Sequence, residues 1–243
     1  MPADEPGDND RVNKVNEPSA TPLPAAPLAT DEICPKCGKP MALSVCDEIV
    51  PVDNRVALLV LQHPQEQDKL LGTARLAVVS LQHATFRIGL SWPSLSKALG
   101  RDADPKRWAV LYLGSLRPKD FPAGREVMIL DRKGNPLDHQ DSALAGIEGV
   151  VVFDGTWSQA KALWWRNPWV LKAQRVALNP KRPSLYGSLR REPRREGLST
   201  IEAAGLLIAR IEKRPEIETR LTENFHKMLT RIRLSGVGGT GQK

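Results

Sequence analysis

Short apolar runs alternate with amphipathic segments along the middle of the chain. Runs of strand length lie at residues 55–62, 108–113, 126–130, 149–153 and 174–178. Between them, residues 94–100 and 156–165 carry apolar side chains at helical spacing. Nearly continuous apolar strands are typical of a parallel sheet that helices cover on both faces. The pattern therefore predicts an α/β fold with a mainly parallel sheet.

The last third of the chain predicts helices. Ser199 and Glu202 have the spacing of a capping box, in which two side chains bond each other's backbone N–H groups at a helix start. Pro215 suits the first turn of a second helix. One apolar stripe of that helix is formed by Ile217, Leu221, Phe225, Met228, Leu229 and Ile232. We therefore expect C-terminal helices after the sheet.

Composition divides the chain into four parts. Residues 1–32 are acidic and proline-rich, with few large apolar side chains, and predict a disordered leader. Residues 33–54 hold all three cysteines and predict a small knuckle. Residues 55–234 predict the main domain, and residues 235–243 predict a flexible tail.

Charge is distributed unevenly. Residues 1–33 carry 7 acidic and 2 basic side chains, so the formal net charge of +7 leaves +12 on the rest of the chain. Such a basic surface favours a polyanionic partner, and cytoplasmic polyanions are mostly nucleic acid. A generic basic surface is the alternative.

Hydropathy indicates a cytoplasmic protein. No apolar run reaches the length of a membrane-spanning helix. The polar, acidic N-terminal residues have the opposite layout to a signal peptide.

The cysteines have the spacing of a metal-binding knuckle. Cys34 and Cys37 form a C-x-x-C pair, and Cys46 follows. A structural zinc takes four ligands, so a carboxylate oxygen of Glu48 or Asp47 is the candidate fourth ligand. A knuckle without metal and a redox pair are the alternatives. The odd number of cysteines speaks against a disulfide scaffold.

Polar residues follow the first predicted strand. His63 and Pro64 begin a loop that carries Glu66, Lys69 and Thr73. Ligand sites in α/β proteins open at the carboxyl ends of strands, so these residues are candidates for ligand contacts. The alternative is a helix-start loop in which His63 packs or forms a hydrogen bond.

Residues 150–165 are the most informative segment. A strand delivers Asp154 to a turn, and Thr156 and Trp157 begin a helix. Asp154 either caps that helix or faces a bound substrate at the mouth of a pocket. Trp164 falls on the core face of the helix, whereas Trp165 points elsewhere and is a candidate platform for a base or a partner.

A basic segment follows, interrupted by proline and glycine. Its basic residues are Lys172, Arg175, Lys181, Arg182, Arg190, Arg191, Arg194 and Arg195. Clustered arginines suit bidentate contacts with phosphate groups. A solvated basic loop is the alternative.

These motifs together resemble the DTW-domain family, whose studied members are tRNA-uridine aminocarboxypropyltransferases. The matching pieces are Cys34-Pro-Lys-Cys37 with Cys46, Leu61-Gln-His-Pro-Gln-Glu66, Leu71-Gly-Thr-Ala74, Asp154-Gly-Thr-Trp-Ser-Gln-Ala-Lys161, Pro183-Ser-Leu-Tyr186 and Leu198-Ser-Thr-Ile-Glu-Ala203. The family's name motif is Asp-Thr-x-Trp, and Gly155 stands here in place of its threonine. The knuckle of the family often ends Cys-x-Cys, whereas Cys46 is followed by Asp47 and Glu48.

The resemblance implies a SPOUT-like fold with a knotted site for S-adenosylmethionine. It also implies transfer of the 3-amino-3-carboxypropyl group from S-adenosylmethionine to N3 of a uridine in tRNA, with release of methylthioadenosine. The implied partner is tRNA, with no DNA and no membrane. A methyltransferase of the same fold and a non-catalytic RNA-binding protein with a zinc knuckle are the alternatives.

The resemblance and the loops after the strands suggest roles for individual residues. Asp154 is the candidate to accept or direct the N3 proton. The candidate cofactor-binding residues are Leu113, Gly114, Ser115, Thr156, Trp157, Leu178, Thr73 and Thr200. The candidate tRNA-binding residues are His63, Glu66, Lys69, Lys181, Arg182, Ser184, Tyr186, Arg190, Arg191, Arg194 and Arg195. The candidate zinc ligands are Cys34, Cys37, Cys46 and Glu48.

Overall fold

A computed structural model of the chain describes residues 32–112, 118–187, 189–190 and 197–236. Within these ranges, one sheet contains the strands β1 (Ala57–Gln62), β2 (Ala84–Ile88), β3 (Trp108–Leu111), β4 (Val127–Leu130), β5 (Gly149–Asp154) and β6 (Gln174–Leu178). The strand order is β2-β1-β5-β3-β6-β4. All neighbouring pairs are parallel except β4 and β6, which are antiparallel. The predicted α/β fold with a mainly parallel sheet is confirmed.

Helices flank the sheet and follow it. In the described part of the chain they are α1 (Ala74–Val79), α2 (Leu95–Leu99), α3 (Gln140–Ala145), α4 (Trp157–Arg166), α5 (Thr200–Glu212) and α6 (Pro215–Leu234). Short 3-10 turns include Met41–Leu43 in the cysteine knuckle and Pro64–Glu66 after β1. No helix among the described residues is both long and apolar enough to cross a membrane.

The central strands are buried on both faces. Leu58 and Val60 of β1 belong to a core that includes α1, α5 and α6. Leu59 and Leu61, which point the other way, belong to a second core with α2 and α4. All four side chains are fully buried, which explains why this strand is a continuous apolar run in the sequence.

The structure also contains an edge strand that the apolar pattern did not predict. β2 pairs only with β1 in the described sheet, and its residues are half-buried or exposed. Arg87 lies within it, and its guanidinium donates a hydrogen bond to the carbonyl of Ala98 at 3.0 Å. Because β2 is incompletely covered, its sequence lacks the continuous apolar run of the buried strands, whereas β4 at the other edge of the sheet is fully buried and has such a run.

The predicted C-terminal helices are confirmed. The capping box at the start of α5 is present, and every residue of the predicted apolar stripe of α6 is fully buried. α5 and α6 approach closely at Gly205, where an added Cβ would lie 3.3 Å from the Cβ of Leu221. The absence of a side chain at Gly205 permits this contact.

The cysteine knuckle packs directly on the main domain. Leu43 and Val45 are buried in the same core as β1, α5 and α6. Arg231 of α6 donates a hydrogen bond to the carbonyl of Ser44. The knuckle is therefore joined to the core of the domain through Leu43 and Val45, while its three cysteines form a small buried cluster of their own.

Gly149 gives a test of packing in the sheet. An added Cβ would lie 2.5 Å from the ring of Trp108, which is fully buried. We predict that Gly149→Ala lowers the free energy of unfolding by about 1–3 kcal/mol through overpacking. Chemical denaturation measures this change.

Gly146→Ala is the matched control, because a Cβ at Gly146 meets only ordinary contacts beginning at 3.7 Å. We expect a change within about 0.5 kcal/mol for this variant. Equal stability of the two variants would contradict the packing argument.

Candidate active site

Asp154 lies at the carboxyl end of β5, beside the end of β1. The parallel register pairs it with Gln62. The Gln62 Nε2 donates a hydrogen bond to Asp154 Oδ2 at 2.8 Å, and the Thr200 hydroxyl donates to Asp154 Oδ1. Two neutral donors therefore orient a half-buried carboxylate, whose remaining lone pairs are available to a further donor.

The helix after β5 is capped by Thr156 and not by Asp154. Thr156 Oγ1 accepts from the backbone N–H of Gln159, and Gln159 Oε1 accepts from the backbone N–H of Thr156 at 2.6 Å. This capping box excludes the interpretation of Asp154 as the cap of that helix. The hydroxyl of Thr156, a candidate cofactor contact, serves the cap. Trp157 begins the helix and is half-buried.

Thr73 and Thr200 connect two helix starts to the site. Thr73 precedes α1, is buried, and accepts a hydrogen bond from the backbone N–H of Ile201 at 3.3 Å. Thr200 begins α5 and donates to Asp154. Both residues are predicted cofactor contacts. In the structure the Thr73 hydroxyl bonds to the start of α5, and the Thr200 hydroxyl bonds to Asp154.

Glu202 gathers four hydrogen bonds that anchor the segment before α5. Its carboxylate accepts from the hydroxyl of Ser184 at 2.6 Å, the N–H of Leu185 at 2.8 Å, and the N–H and hydroxyl of Ser199 at 2.9 and 2.5 Å. Ser184, predicted to contact tRNA, therefore has an internal partner. The capping role of Glu202 is confirmed.

Tyr186 is buried, which corrects its prediction as a tRNA contact. Only 1% of its surface is exposed, and its hydroxyl donates to the carbonyl of Leu71 at 2.6 Å. Its ring packs edge-on against Phe225 with the centroids 5.0 Å apart. The side chain lies in the core, so it cannot reach a bound RNA.

The loop after β1 begins with a 3-10 turn that His63 caps. His63 Nδ1 accepts from the backbone N–H of Gln65 at 3.3 Å, which agrees with the helix-start interpretation. Glu66 is 9% exposed, and Lys69 is exposed. Glu66 and Lys69 both line a small cavity between this loop and the cysteine knuckle.

The three cysteines converge. Their Sγ atoms all lie within 4.8 Å of one another, and all three residues are buried. A hydrogen bond with Cys46 lowers the pKa of the Cys37 thiol to about 5, against the opposing effect of burial. The same hydrogen bond, together with burial, raises the pKa of Cys46. One thiol of the cluster thus favours the thiolate form that metals bind.

Glu48 does not join the cysteine cluster, contrary to the prediction of a fourth ligand. Its carboxylate accepts a hydrogen bond from Arg231 and forms an ion pair with Lys227 at 3.2 Å. Two cations of α6 thus hold Glu48 against that helix. The described residues supply three thiols, which fit three of the four positions of a structural zinc.

Lys39 joins the knuckle to the loop after β1, and the sequence analysis did not identify it. Its side chain is 5% exposed, and Nζ donates to the carbonyls of Leu70 at 2.6 Å and Gly72 at 2.8 Å. Burial lowers the pKa of Lys39 to about 8, although Cys37, Cys46 and Asp154 raise it. Nothing local marks Lys39, because its partners lie 31 and 33 residues away.

Gln62 is a site residue that the sequence analysis does not predict. Its position could have indicated it, because Gln62 is the polar residue that ends an otherwise apolar strand. In a parallel sheet that position lies at the carboxyl ends of the strands, where ligand sites open.

The basic candidates are distributed over the surface. Arg182 is exposed, Lys181 forms a 3.5 Å ion pair with Glu126, and Arg190 lies over the ring of Tyr186.

Trp165 is 75% exposed, as its helical position predicts. Leu178 ends β6 and packs half-buried against the main core. The other predicted contacts, Leu113, Gly114, Ser115, Arg191, Arg194 and Arg195, lie outside the described residues.

Comparison with known proteins decides the family. A sequence model of the DTW domain matches residues 31–233. The chain belongs to the DTW domain family. The match begins just before the cysteine knuckle and ends within α6, so the knuckle and the C-terminal helices are part of the DTW domain.

Curated relatives of this DTW protein carry the name tRNA-uridine aminocarboxypropyltransferase. The chain is 26% identical to enzyme 2 of Macaca fascicularis over 82% of its own length and 63% of that protein. It is 28% identical to enzyme 2 of Drosophila melanogaster, over 80% of the chain and 72% of the relative. It is also 28% identical to enzyme A of Arabidopsis thaliana, over 82% and 80%. No solved structure gives a significant match.

The departure from the DTW motif at Gly155 has a local cause. An added Cβ at Gly155 would lie 2.9 Å from the Cβ and 3.0 Å from Oε1 of Gln159. Gln159 occupies that space because it caps Thr156 and also donates a hydrogen bond to Gln65. In this chain, a side chain at position 155 would therefore require Gln159 to move away from its capping position.

Glu202 allows a test of how the site is held. We predict that Glu202→Ala lowers the free energy of unfolding by about 2 kcal/mol or more, because four donors lose one shared charged acceptor. Urea denaturation measures the change. Glu223→Ala on the exposed face of α6 is the control, for which we expect a change within about 0.5 kcal/mol. Similar losses in both variants would contradict this role.

Proposed function

We propose that the protein transfers the 3-amino-3-carboxypropyl group of S-adenosylmethionine to N3 of a uridine in tRNA and releases methylthioadenosine. The DTW domain match and the names of the relatives support this reaction class. The observation that carries the proposal is Asp154, a half-buried carboxylate in the family motif, oriented by Gln62 and Thr200 at the carboxyl end of β5.

The reaction replaces one bond to carbon by another. Bound S-adenosylmethionine supplies a carbon activated by the sulfonium. The uridine N3–C bond forms as the C–S bond breaks, the electron pair leaves with sulfur, and N3 loses its proton. Asp154 would accept or direct that proton, and this role is supported by its two hydrogen-bond donors, neither of which carries a charge that would compete for the carboxylate. Orientation of both reactants supplies the rest of the acceleration.

The binding of tRNA would rest on the basic surface of the folded part. Arg182 and Lys181 are exposed, and Arg190 is held over Tyr186 on the segment that Glu202 anchors. Phosphate contacts of this kind would make the affinity fall as salt rises. The knotted donor site of a SPOUT-like fold remains a prediction, because residues 113–117 and 191–196 lie outside the described residues.

Asp154→Asn tests the proposed role. The amide keeps the size of the side chain but cannot accept a proton, so we predict a loss of transfer rate of at least about 100-fold. Binding of S-adenosylmethionine should change little. Single-turnover kinetics with tRNA and calorimetry with S-adenosylmethionine measure the two effects.

The control is Asp102→Asn, which makes the same change at an exposed residue away from the site. We expect it to retain the wild-type rate. A wild-type rate in Asp154→Asn would exclude Asp154 from proton transfer.

We also propose that the cysteine cluster binds a structural zinc. Three buried thiols whose Sγ atoms all lie within 4.8 Å of one another support this, and a water or a group outside the described residues would complete the tetrahedron. The knuckle would then brace the loop after β1 through Lys39.

Metal analysis of purified variants tests the zinc proposal. We predict one zinc per chain in the wild type and loss of most of the zinc in Cys46→Ser. Glu48→Gln should keep its zinc, because the Glu48 carboxylate is bound by Lys227 and Arg231 of α6. A zinc-free wild type purified without chelators, or loss of zinc in Glu48→Gln, would contradict this assignment.

A further inference from the structure

One buried polar atom of the site lacks a partner. Gln62 is 3% exposed, and its Nε2 donates to Asp154. Its Oε1 is fully buried and accepts no hydrogen bond from any described residue. A buried acceptor without a donor carries a desolvation penalty, so such an atom at a functional site indicates a missing ligand or water.

The hydrogen bond to Asp154 fixes which way this carboxamide faces. Turning the amide over would place Oε1 against the Asp154 carboxylate and would lose the hydrogen bond. Gln62 Oε1 therefore points away from the Asp154 carboxylate. Gln62 also lines a cavity of about 50 Å³ between the cysteine knuckle and the loop after β1. The cavity has room for a small polar group and is far too small for a nucleoside.

Both signs of charge line the cavity. The cations are Lys39, Lys69 and Arg75, and the acids are Glu66 and Asp68. Lys39 donates two N–H groups to the carbonyls of Leu70 and Gly72, which leaves the third donor of its ammonium for the cavity. A phosphate would leave Gln62 Oε1 without a donor and would bring its negative charge close to Glu66 and Asp68, and a simple cation would bring its positive charge close to the lysines and the arginine. A zwitterion satisfies both sets.

We propose that this cavity binds the α-amino-acid end of the donor substrate. The ammonium donates to Gln62 Oε1 and faces Glu66, and the carboxylate faces Lys39 and Arg75. This inference rests on the proposed function, because the amino-acid end belongs to the group that the proposed reaction transfers.

The site would determine which group is transferred. A sulfonium has three electrophilic carbons, and the one that faces the nucleophile in line reacts. Gln62 contacts both the proposed subsite and Asp154, so it would hold the aminocarboxypropyl chain beside the carboxylate that takes the uridine proton. If that chain is anchored at its amino-acid end, its carbon bonded to sulfur faces N3, and the methyl group does not.

A comparison of two ligands tests the proposal. S-adenosylhomocysteine contains the amino-acid end, and methylthioadenosine lacks it. We predict that the wild-type chain prefers S-adenosylhomocysteine in calorimetry. Gln62→Met and Glu66→Gln should each reduce the ratio of the two affinities about tenfold, as expected for one hydrogen bond to a charged group. The affinity for methylthioadenosine should stay unchanged.

Gln82→Met is the matched control, since Gln82 is exposed and does not line the cavity. It should keep the wild-type ratio. An unchanged ratio in both cavity variants would overturn the subsite and leave a water-filled cavity, even if transfer activity persists. Failure of the wild type to bind either ligand would instead overturn the proposed function, and this inference with it.

Discussion

The parallel pairing of β1 with β5 is the constraint on which the site depends. It brings Gln62 and Asp154 side by side at the carboxyl ends of the two strands and lets one side chain orient the other. Close packing on both faces holds this register, because a slip by one residue would exchange side chains of different shape between the two cores. The geometry of the carboxylate is therefore supported by two strands that are buried on both faces.

Separate elements close around that pair. Thr200 joins α5 to Asp154, Thr73 joins the start of α1 to the start of α5, and Lys39 joins the knuckle to the loop before α1. These contacts form a continuous chain from the cysteines to the carboxylate. A metal in the knuckle would thus affect the reaction by holding the loop after β1, at a distance from the reacting atoms.

Much of the fold could be predicted from the sequence, because the buried strands, the capping box of α5 and the stripe of α6 are local patterns. β2 could not, since it is only partly covered and lacks a continuous apolar run. Asp154 was identified from its place after a strand. The internal roles of Tyr186 and Glu48 and the burial of Lys39 depend on partners far away in the sequence, which spacing alone does not reveal.

The central claim concerns which bond of S-adenosylmethionine breaks. The most direct measurement incubates the purified chain with unmodified tRNA and S-adenosylmethionine, followed by mass spectrometry of small molecules and digested nucleosides. Our account predicts methylthioadenosine together with a uridine that carries one aminocarboxypropyl group. S-adenosylhomocysteine with a methylated nucleoside, or binding of tRNA with neither product, would contradict it.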